Sequence, residues 1–408
     1  MSRFIWLLLA FLLLLPATAR AQPAAVEETA PPEPKHQLGG YVQGDGRFFL
    51  DDDDDAQSDR FELRRVRPSF KGTLWDHHDY KFLIDLAGGR LQVLDVFVDV
   101  KYVPWAVLRL GKGKTPFGLE RLQSAVDLKF IERALPTQLV PNRDIGVQLV
   151  GDLAGGLLSY QVGVLDGVAD GASADVNEDD RFDLVGRVFS HPFKQTGIPG
   201  LRGLGVGAAA TRGERLGGAE SPQIAPYRTA GGSTIFAYSS PDPELMPVVA
   251  DGEHLRVTGQ GYLYEGPIGF MAEYVWSRQQ VSAGELSGEF AHTSWAASLT
   301  VLVTGDEATY KTVEPERPFD PLRGQWGAVE VGARYAQLDV DGDAFDEGLA
   351  SADSSARRAR ALTFGATWYL NKVFKAQVNL ERTTFDGGAP EGDRAAENAL
   401  LARSQMAF

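Results

Sequence analysis

The chain has no cysteine among its 408 residues, so disulfides and thiolate metal sites are excluded and stability must come from packing and backbone pairing. It also lacks a hydrophobic run long enough to cross a bilayer as a helix. Its most apolar stretch, residues 4–15, is twelve residues long, against the roughly 18 to 20 that a helical span requires. Positive charge is in the minority. Forty lysines and arginines face 55 carboxylates, a net charge of −15, which argues against a nucleic-acid partner because phosphate neutralisation needs a basic face. The six histidines are scattered, and no nucleophile elbow, Walker loop or zinc motif occurs. No catalytic residue, cofactor or metal site is therefore expected. His77 and His78 have no ligand cluster near them in sequence and read as a solvated pair. Asp339-Val340-Asp341-Gly342-Asp343 resembles a calcium loop, but its glycine comes too early for the EF-hand pattern. The acid run 51–55 reads as a solvated loop, with calcium binding or a magnesium bridge to lipopolysaccharide as the alternative.

What is present begins with a secretory signal over residues 1–21: Arg3, the apolar run, and an Ala19-Arg20-Ala21 cleavage site. The mature chain is expected to start at Gln22, two positive charges poorer. Residues 22–37, with Pro23, Pro31, Pro32 and Pro34, read as a disordered lead-in. From Tyr41 onward, apolar and polar residues alternate with a period of two, the mark of strands with one apolar and one polar face. Leu94, Val96, Val98, Val100 and Tyr102 alternate with Asp95, Phe97, Asp99 and Lys101, and Phe374, Ala376, Val378 and Leu380 with Lys375, Gln377 and Asn379. No helical segment has comparable strength. A protein exported with such strands is either a soluble periplasmic β protein or a membrane barrel.

The connections favour the barrel, in which strand number is even, periplasmic turns are short and outer loops are long. The pattern divides into sixteen strands, near 38–50, 60–74, 80–87, 91–103, 105–113, 145–152, 157–165, 181–190, 203–212, 254–264, 267–279, 291–304, 325–338, 361–370, 373–385 and 398–408. Turns such as Glu265-Gly266-Pro267 and Asn371-Lys372 fall on one side, and the long connections 51–59, 113–144, 166–180, 213–253, 339–358 and 386–397 on the other. Two connections break this parity: 87–90 is short on the outer side, and 305–324 is long on the periplasmic side. In the last strand, Leu400, Ala402, Ser404, Met406 and Phe408 share one face. A terminal aromatic there looks like the assembly signal that barrel-insertion machinery reads.

Specific residues carry a family resemblance. Leu110-Gly111-Lys112-Gly113-Lys114-Thr115-Pro116-Phe117-Gly118-Leu119-Glu120, then Ile131-Glu132-Arg133 and Asn142-Arg143-Asp144-Ile145-Gly146, resemble the phosphate-selective porins of the O and P type. So do Phe61-Glu62-Leu63-Arg64-Arg65-Val66-Arg67, Tyr264-Glu265-Gly266-Pro267, Trp326-Gly327-Ala328-Val329-Glu330 and the closing Arg403-Ser404-Gln405. The resemblance spans nearly the whole chain from residue 38. It implies an all-β, sixteen-stranded transmembrane barrel in the outer membrane of a Gram-negative bacterium, assembled as a homotrimer among outer-membrane lipid and lipopolysaccharide. It further implies a third outer loop folded into the lumen, and arginines and lysines that conduct small anions such as phosphate. A passive channel is expected, not an enzyme; a general porin of weak selectivity and an outer-membrane barrel enzyme are the alternatives.

The third outer loop is the one basic loop on an acidic molecule. From Lys112 onward it carries Lys112, Lys114, Arg121, Lys129, Arg133 and Arg143 against Glu120, Asp127, Glu132 and Asp144. Folded inward, these cations would form an anion-selecting constriction with little screening; in the structural alternative they pair among themselves and brace the loop. Arg64, Arg65 and Arg67 lie on one strand, so Arg65 and Arg67 share a face that Arg64 does not, and all three can line the pore only across a bulge. Without a bulge the odd arginine belongs at a subunit contact or a rim, because an arginine facing lipid costs about 2 to 4 kcal/mol at the midplane. Salt bridges to Asp85, Asp95 or Asp99 are the alternative role for these three. Arg109, Arg256, Arg334 and Lys375 occupy the polar parity of their strands and read as pore-wall residues.

Overall fold

The computed structural model describes residues 34–50, 57–176, 179–240, 242 and 246–408. The signal, most of the lead-in and the acid run 51–55 lie outside the described residues. The described strands are β1 (Lys35–Phe49), β2 (Arg60–Leu74), β3 (His78–Asp85), β4 (Gln92–Val103), β5 (Ala106–Lys114), β6 (Arg143–Leu153), β7 (Leu158–Leu165), β8 (Asp183–Ser190), β9 (Leu204–Leu216), a small hairpin β10 (Tyr227–Arg228) and β11 (Thr234–Phe236), then β12 (Val249–Glu265), β13 (Ile268–Ala283), β14 (Leu286–Leu302), β15 (Ala328–Asp339), β16 (Ala356–Tyr369), β17 (Phe374–Ala389), the short β18 (Gly392–Asp393) and β19 (Glu397–Ala407). Apart from β10, β11 and β18, each pairs antiparallel with its sequence neighbour, and β1 pairs with β19 from Tyr41↔Ala407 to Phe49↔Ala399. The sixteen strands thus form a closed antiparallel barrel with no free edge, the form that satisfies backbone groups in lipid. Phe408 continues the closing seam: its N–H donates to Gly40 O and its carbonyl accepts from Gly40 N, both at 2.9 Å.

All sixteen expected strands are present. Their outer ends reach further than the alternation indicates: β12 starts at Val249, β14 at Leu286 and β16 at Ala356. Pairing continues there past the apolar belt, where no lipid enforces alternation. The 305–324 exception is real, since the periplasmic connection from β14 to β15 is long. A third exception joins it, the stretch between β8 and β9 on the same end.

Burial shows which face is which. Leu108, Leu110, Val147, Leu149, Val162 and Val188 are exposed on the outside, while Gln148, Arg256, Thr258, Asn379 and Arg403 are buried inside, the apolar-out, polar-in arrangement of a membrane barrel. His77 and His78 sit at a periplasmic turn and pack on Tyr102, ring centroids 4.6 and 6.0 Å away, so they belong to an aromatic cluster. Carboxylates of the calcium-like run serve the chain itself, Asp341 accepting from Ala291 N at 2.8 Å and Asp339 from Gln337 Nε2 at 2.7 Å.

Candidate functional site: a basic cavity inside the barrel

The connection from β5 to β6 enters a short helical turn at Leu119–Leu122. Gly118 makes the entry with φ +81°, and a Cβ there would stand 2.6 Å from the Val140 side chain, so the turn demands glycine. Inward-facing groups of distant strands then hold the connection. Glu273 of β13 accepts from Leu119 N at 2.6 Å, Asn379 of β17 accepts from Ile131 N at 2.6 Å, and Arg403 of β19 donates to Ile131 O at 2.6 Å. The long periplasmic connection meets it from the other end: Tyr310 Oη donates to Leu119 O at 2.6 Å, and Thr312 Oγ1 to Val126 O at 2.7 Å. Connection length drew attention to this segment in the sequence; its role as a strut did not show there.

Beside the connection lies a cavity of about 720 Å³. Its lining includes Arg64, Arg65, Arg67, Lys71, Lys81, Arg109, Lys114, Arg121, Arg133 and Arg143, with Asp95 as the one acidic side chain. All three β2 arginines are present because β2 does bulge. The register against β1 runs Gln43↔Arg65 and then Gly44↔Leu63, so Arg64 is the extra residue and turns inward with its neighbours. Lys71 and Lys81 were missed by the sequence reading. The parity of Arg65 and Arg67, continued along β2, pointed to Lys71, and the register pairs Lys71 with Lys81.

Five expected pore residues do not line this cavity. Lys112 is buried against the carboxylate of Asp175. Lys129 donates to Lys311 O at 2.9 Å and lies 3.4 Å from Glu330. Arg334 bridges Glu120 at 3.3 Å and Glu381 at 3.4 Å, and donates to Glu132 O at 2.8 Å. Lys375 donates to Val126 O at 2.8 Å and Leu128 O at 3.0 Å. Arg256 is fully buried and bonds Asp170 and Val168 O, both at 2.6 Å; burial alone would raise the Asp170 carboxyl, but Arg256 and His254 hold it below the usual carboxylate range. These five cations fasten connections to the wall. They were indistinguishable from lining residues in sequence because strand parity says only that a side chain points inward.

Among the lining cations, pairing divides them. Arg67 meets Asp85 at 2.6 Å, Arg109 meets Asp99 at 2.7 Å, and Arg143 and Lys81 share Asp95 at 2.8 and 2.7 Å. Among the described residues no carboxylate lies within 4.0 Å of Lys114, Arg121 or Arg133. They donate to carbonyls: Lys114 to Gln123 O at 2.8 Å, Arg121 to Thr137 O at 2.6 Å, and Arg133 to Glu120 O at 3.0 Å. Burial, and then the neighbouring Arg133 and Arg143, pull the Arg121 guanidinium down to about 9, which leaves it charged at neutral pH. Carbonyl dipoles hold Arg121 and Arg133 in place without cancelling their charge, so the cavity keeps a positive field.

Glu132 is the loop's own carboxylate at this wall. It accepts from Arg47 at 2.6 Å and Arg64 at 2.8 Å, and lies 3.3 Å from Arg403 and 3.6 Å from Arg65. Burial alone would raise its carboxyl, but Arg64, Arg65, Arg403 and Arg47 outweigh that and hold it well below the usual range.

The comparisons with known proteins agree with this architecture. An uncharacterized protein of Caulobacter vibrioides is 25% identical over 361 residues, covering 85% of this chain and 68% of that protein. Among solved structures, the outer membrane channel DcaP of Acinetobacter baumannii superposes with a TM-score of 0.60 at 12% identity, covering 92% of this chain and 97% of that one. The anion-selective porin of Comamonas acidovorans does so with a TM-score of 0.57 at 13% identity, covering 92% and 100%. At such identities the likeness is one of fold. The family follows from the sequence model for phosphate-selective porin O and P, which matches residues 37–408: the chain belongs to that family of outer-membrane porins.

Proposed function

We propose that this porin passes small anions, phosphate or related oxyanions among them, by passive diffusion through the basic cavity, with the third outer connection as its constriction. The observation that carries the reading is the contrast between a protein of net charge −15 and a cavity whose lining holds ten cationic side chains and one acidic one. Acids on outer loops act weakly at mid-barrel because their field is screened over about 8 Å at physiological salt. Lys114, Arg121 and Arg133 act at contact, and the planar guanidinium can give two parallel hydrogen bonds to one oxyanion. Export through a cleaved signal over residues 1–21, a lead-in over 22–37, insertion by barrel-assembly machinery reading Phe408, and contact with lipopolysaccharide complete the proposal. So does a homotrimer, a form reported for the fold neighbour OmpT of Vibrio cholerae.

A salt-gradient reversal potential on the purified protein in a planar bilayer tests the reading. The expected sign is that of anions, with chloride current partly blocked by added phosphate. Arg121→Glu or Arg133→Glu should reduce or reverse the selectivity, while Lys129→Glu, tied to Glu330 outside the cavity, should change it less. A cation-selective wild-type channel overturns the anion reading, and an anion-selective channel indifferent to phosphate leaves a general anion pore.

A further inference from the structure

Removing one carboxylate from the barrel wall would change the charge of the cavity more than its position suggests. Among the described residues, Glu132 is the sole ion-pair partner of Arg65, and Arg64 has only one other, Glu62 at 4.0 Å. Arg47 and Arg403 are better supplied, since Arg403 also bonds Asp45 at 2.7 Å and Arg47 bonds Glu62 at 2.9 Å. Without Glu132, then, the cations released would be Arg64 and Arg65, and both line the same cavity as Arg121 and Arg133. The two terminal nitrogens of Arg65 are taken, Nη1 donating to Gln43 at 2.8 Å and Nη2 lying 3.6 Å from Glu132.

Resting on the anion-channel reading, we infer that Glu132 is a resident anion that occupies Arg64 and Arg65, removes them from competition for the passing solute, and so keeps the cavity from becoming a trap. Conduction requires a site that binds strongly enough to admit an ion and weakly enough to release it. Four guanidiniums around one vacancy would favour a bound oxyanion through charge-assisted hydrogen bonds. With the Glu132 carboxylate in that vacancy, the strongest site in the lumen is filled by the protein, and transit is left to Lys114, Arg121 and Arg133, which are held by carbonyls. The loop also gains an anchor from the same contacts, but an anchor alone would not require a charge.

The test compares the wild-type protein with E132Q and E132D in planar bilayers, reading the concentration of inorganic phosphate that halves the chloride current. E132Q keeps the hydrogen-bonding shape and loses the charge. Its half-blocking concentration should fall about tenfold, since hydrogen bonds to charged groups carry that much free energy, while E132D stays near wild type. Replacing Arg65 as well, in E132Q/R65Q, should raise it back toward the wild-type value. Block in E132Q equal to or weaker than wild type, whatever happens to conductance, would reduce Glu132 to an anchor and overturn the inference while leaving the anion reading intact. A cation-sign reversal potential in the wild type would instead defeat that reading. Should E132Q fail to assemble, R65Q alone decides: with its guanidinium already occupied, it should weaken phosphate block by a smaller factor than R133Q, and an equal or larger loss overturns the inference.

Discussion

The two sides of the barrel interior follow different rules. Along β2 to β6 the inward positions include the arginines and lysines that line the cavity. Along β13 to β17 many inward positions are apolar and buried: Val275, Val281, Phe290, Ala296, Ala336, Leu338, Ala359 and Phe385 pack with Leu135, Leu139, Phe236 and Leu349 from the connections in one continuous cluster. Small side chains in the wall make room there for the loops to fill the lumen as a hydrophobic core fills a soluble protein. A barrel wall therefore does not settle what its inside contains. The connections do, by supplying either carbonyls and a carboxylate to a charged wall or rings and aliphatics to an alanine-rich one.

The packed side should respond to loss of volume and the basic side should not. Phe236 is fully buried, with the rings of Tyr227, Tyr238 and Phe345 centred 5.7, 4.9 and 6.0 Å away. Phe236→Ala should cost about 3 to 5 kcal/mol of packing. Thermal unfolding and limited proteolysis within residues 217–248 would register it, with added open-channel noise, while the reversal potential keeps its anion sign. A change in selectivity as large as that from Arg133→Glu would show that the two sides are one mechanical unit.

Strand number and the periplasmic strand ends were legible because the period of two is local and repeats in every strand, whereas the outer ends of β12, β14 and β16 run on past the alternation. The bulge at Arg64 was not, because a bulge is a property of a pair: only the register of β1 against β2 shows that one residue is supernumerary. Nor could parity separate Arg109, which lines the cavity, from Arg334, which bonds the loop carbonyl of Glu132. Both are inward cations, and which stays exposed to solute depends on contacts made more than 200 positions apart in sequence. The alternative in which the third loop's charges pair among themselves and brace it meets a divided loop. Lys112, Lys129 and Arg143 are answered by Asp175, Glu330 and Asp95 from elsewhere, and Glu132 by arginines of the wall, while Lys114, Arg121 and Arg133 donate to carbonyls of the loop itself, so the loop is fastened to its surroundings by charge and braced internally by its backbone.

A smaller effect belongs to the outer rim of the basic side. Lys112 is buried, and its carboxylate partner Asp175 is largely exposed on the next outer connection. Asp175→Asn would leave Lys112 without that carboxylate and bring one net positive charge to the mouth. Anion conductance should rise by less than about twofold at low ionic strength and converge on wild type at 1 M salt, where screening acts over about 3 Å. A gain that persists at 1 M would place Lys112 in direct contact with the solute.

The smallest effect expected is none, and it separates the sides by acid. A carboxyl whose value in the folded protein is depressed contributes stability that is present above its unfolded value and lost only as pH falls through the folded one. For Glu132 the ordinary value is 4.5 and the folded one lies well below it. The charge that joins the third loop to Arg47, Arg64, Arg65 and Arg403 is thus complete at pH 7 and should survive below pH 4.5, because protonation would strand those guanidiniums against a neutral group. Asp45 and Glu62 share the same arginines, so the network keeps other negative charge even as Glu132 begins to titrate. The difference in chloride reversal potential between wild type and E132Q, read in a bilayer at fixed salt, should be flat from pH 7 down to about 4.5. Loss of that difference between pH 6 and 5 would require Glu132 to titrate near its ordinary value or above it, and would show that the basic side is held by a looser contact than the ion pairs of Glu132 provide.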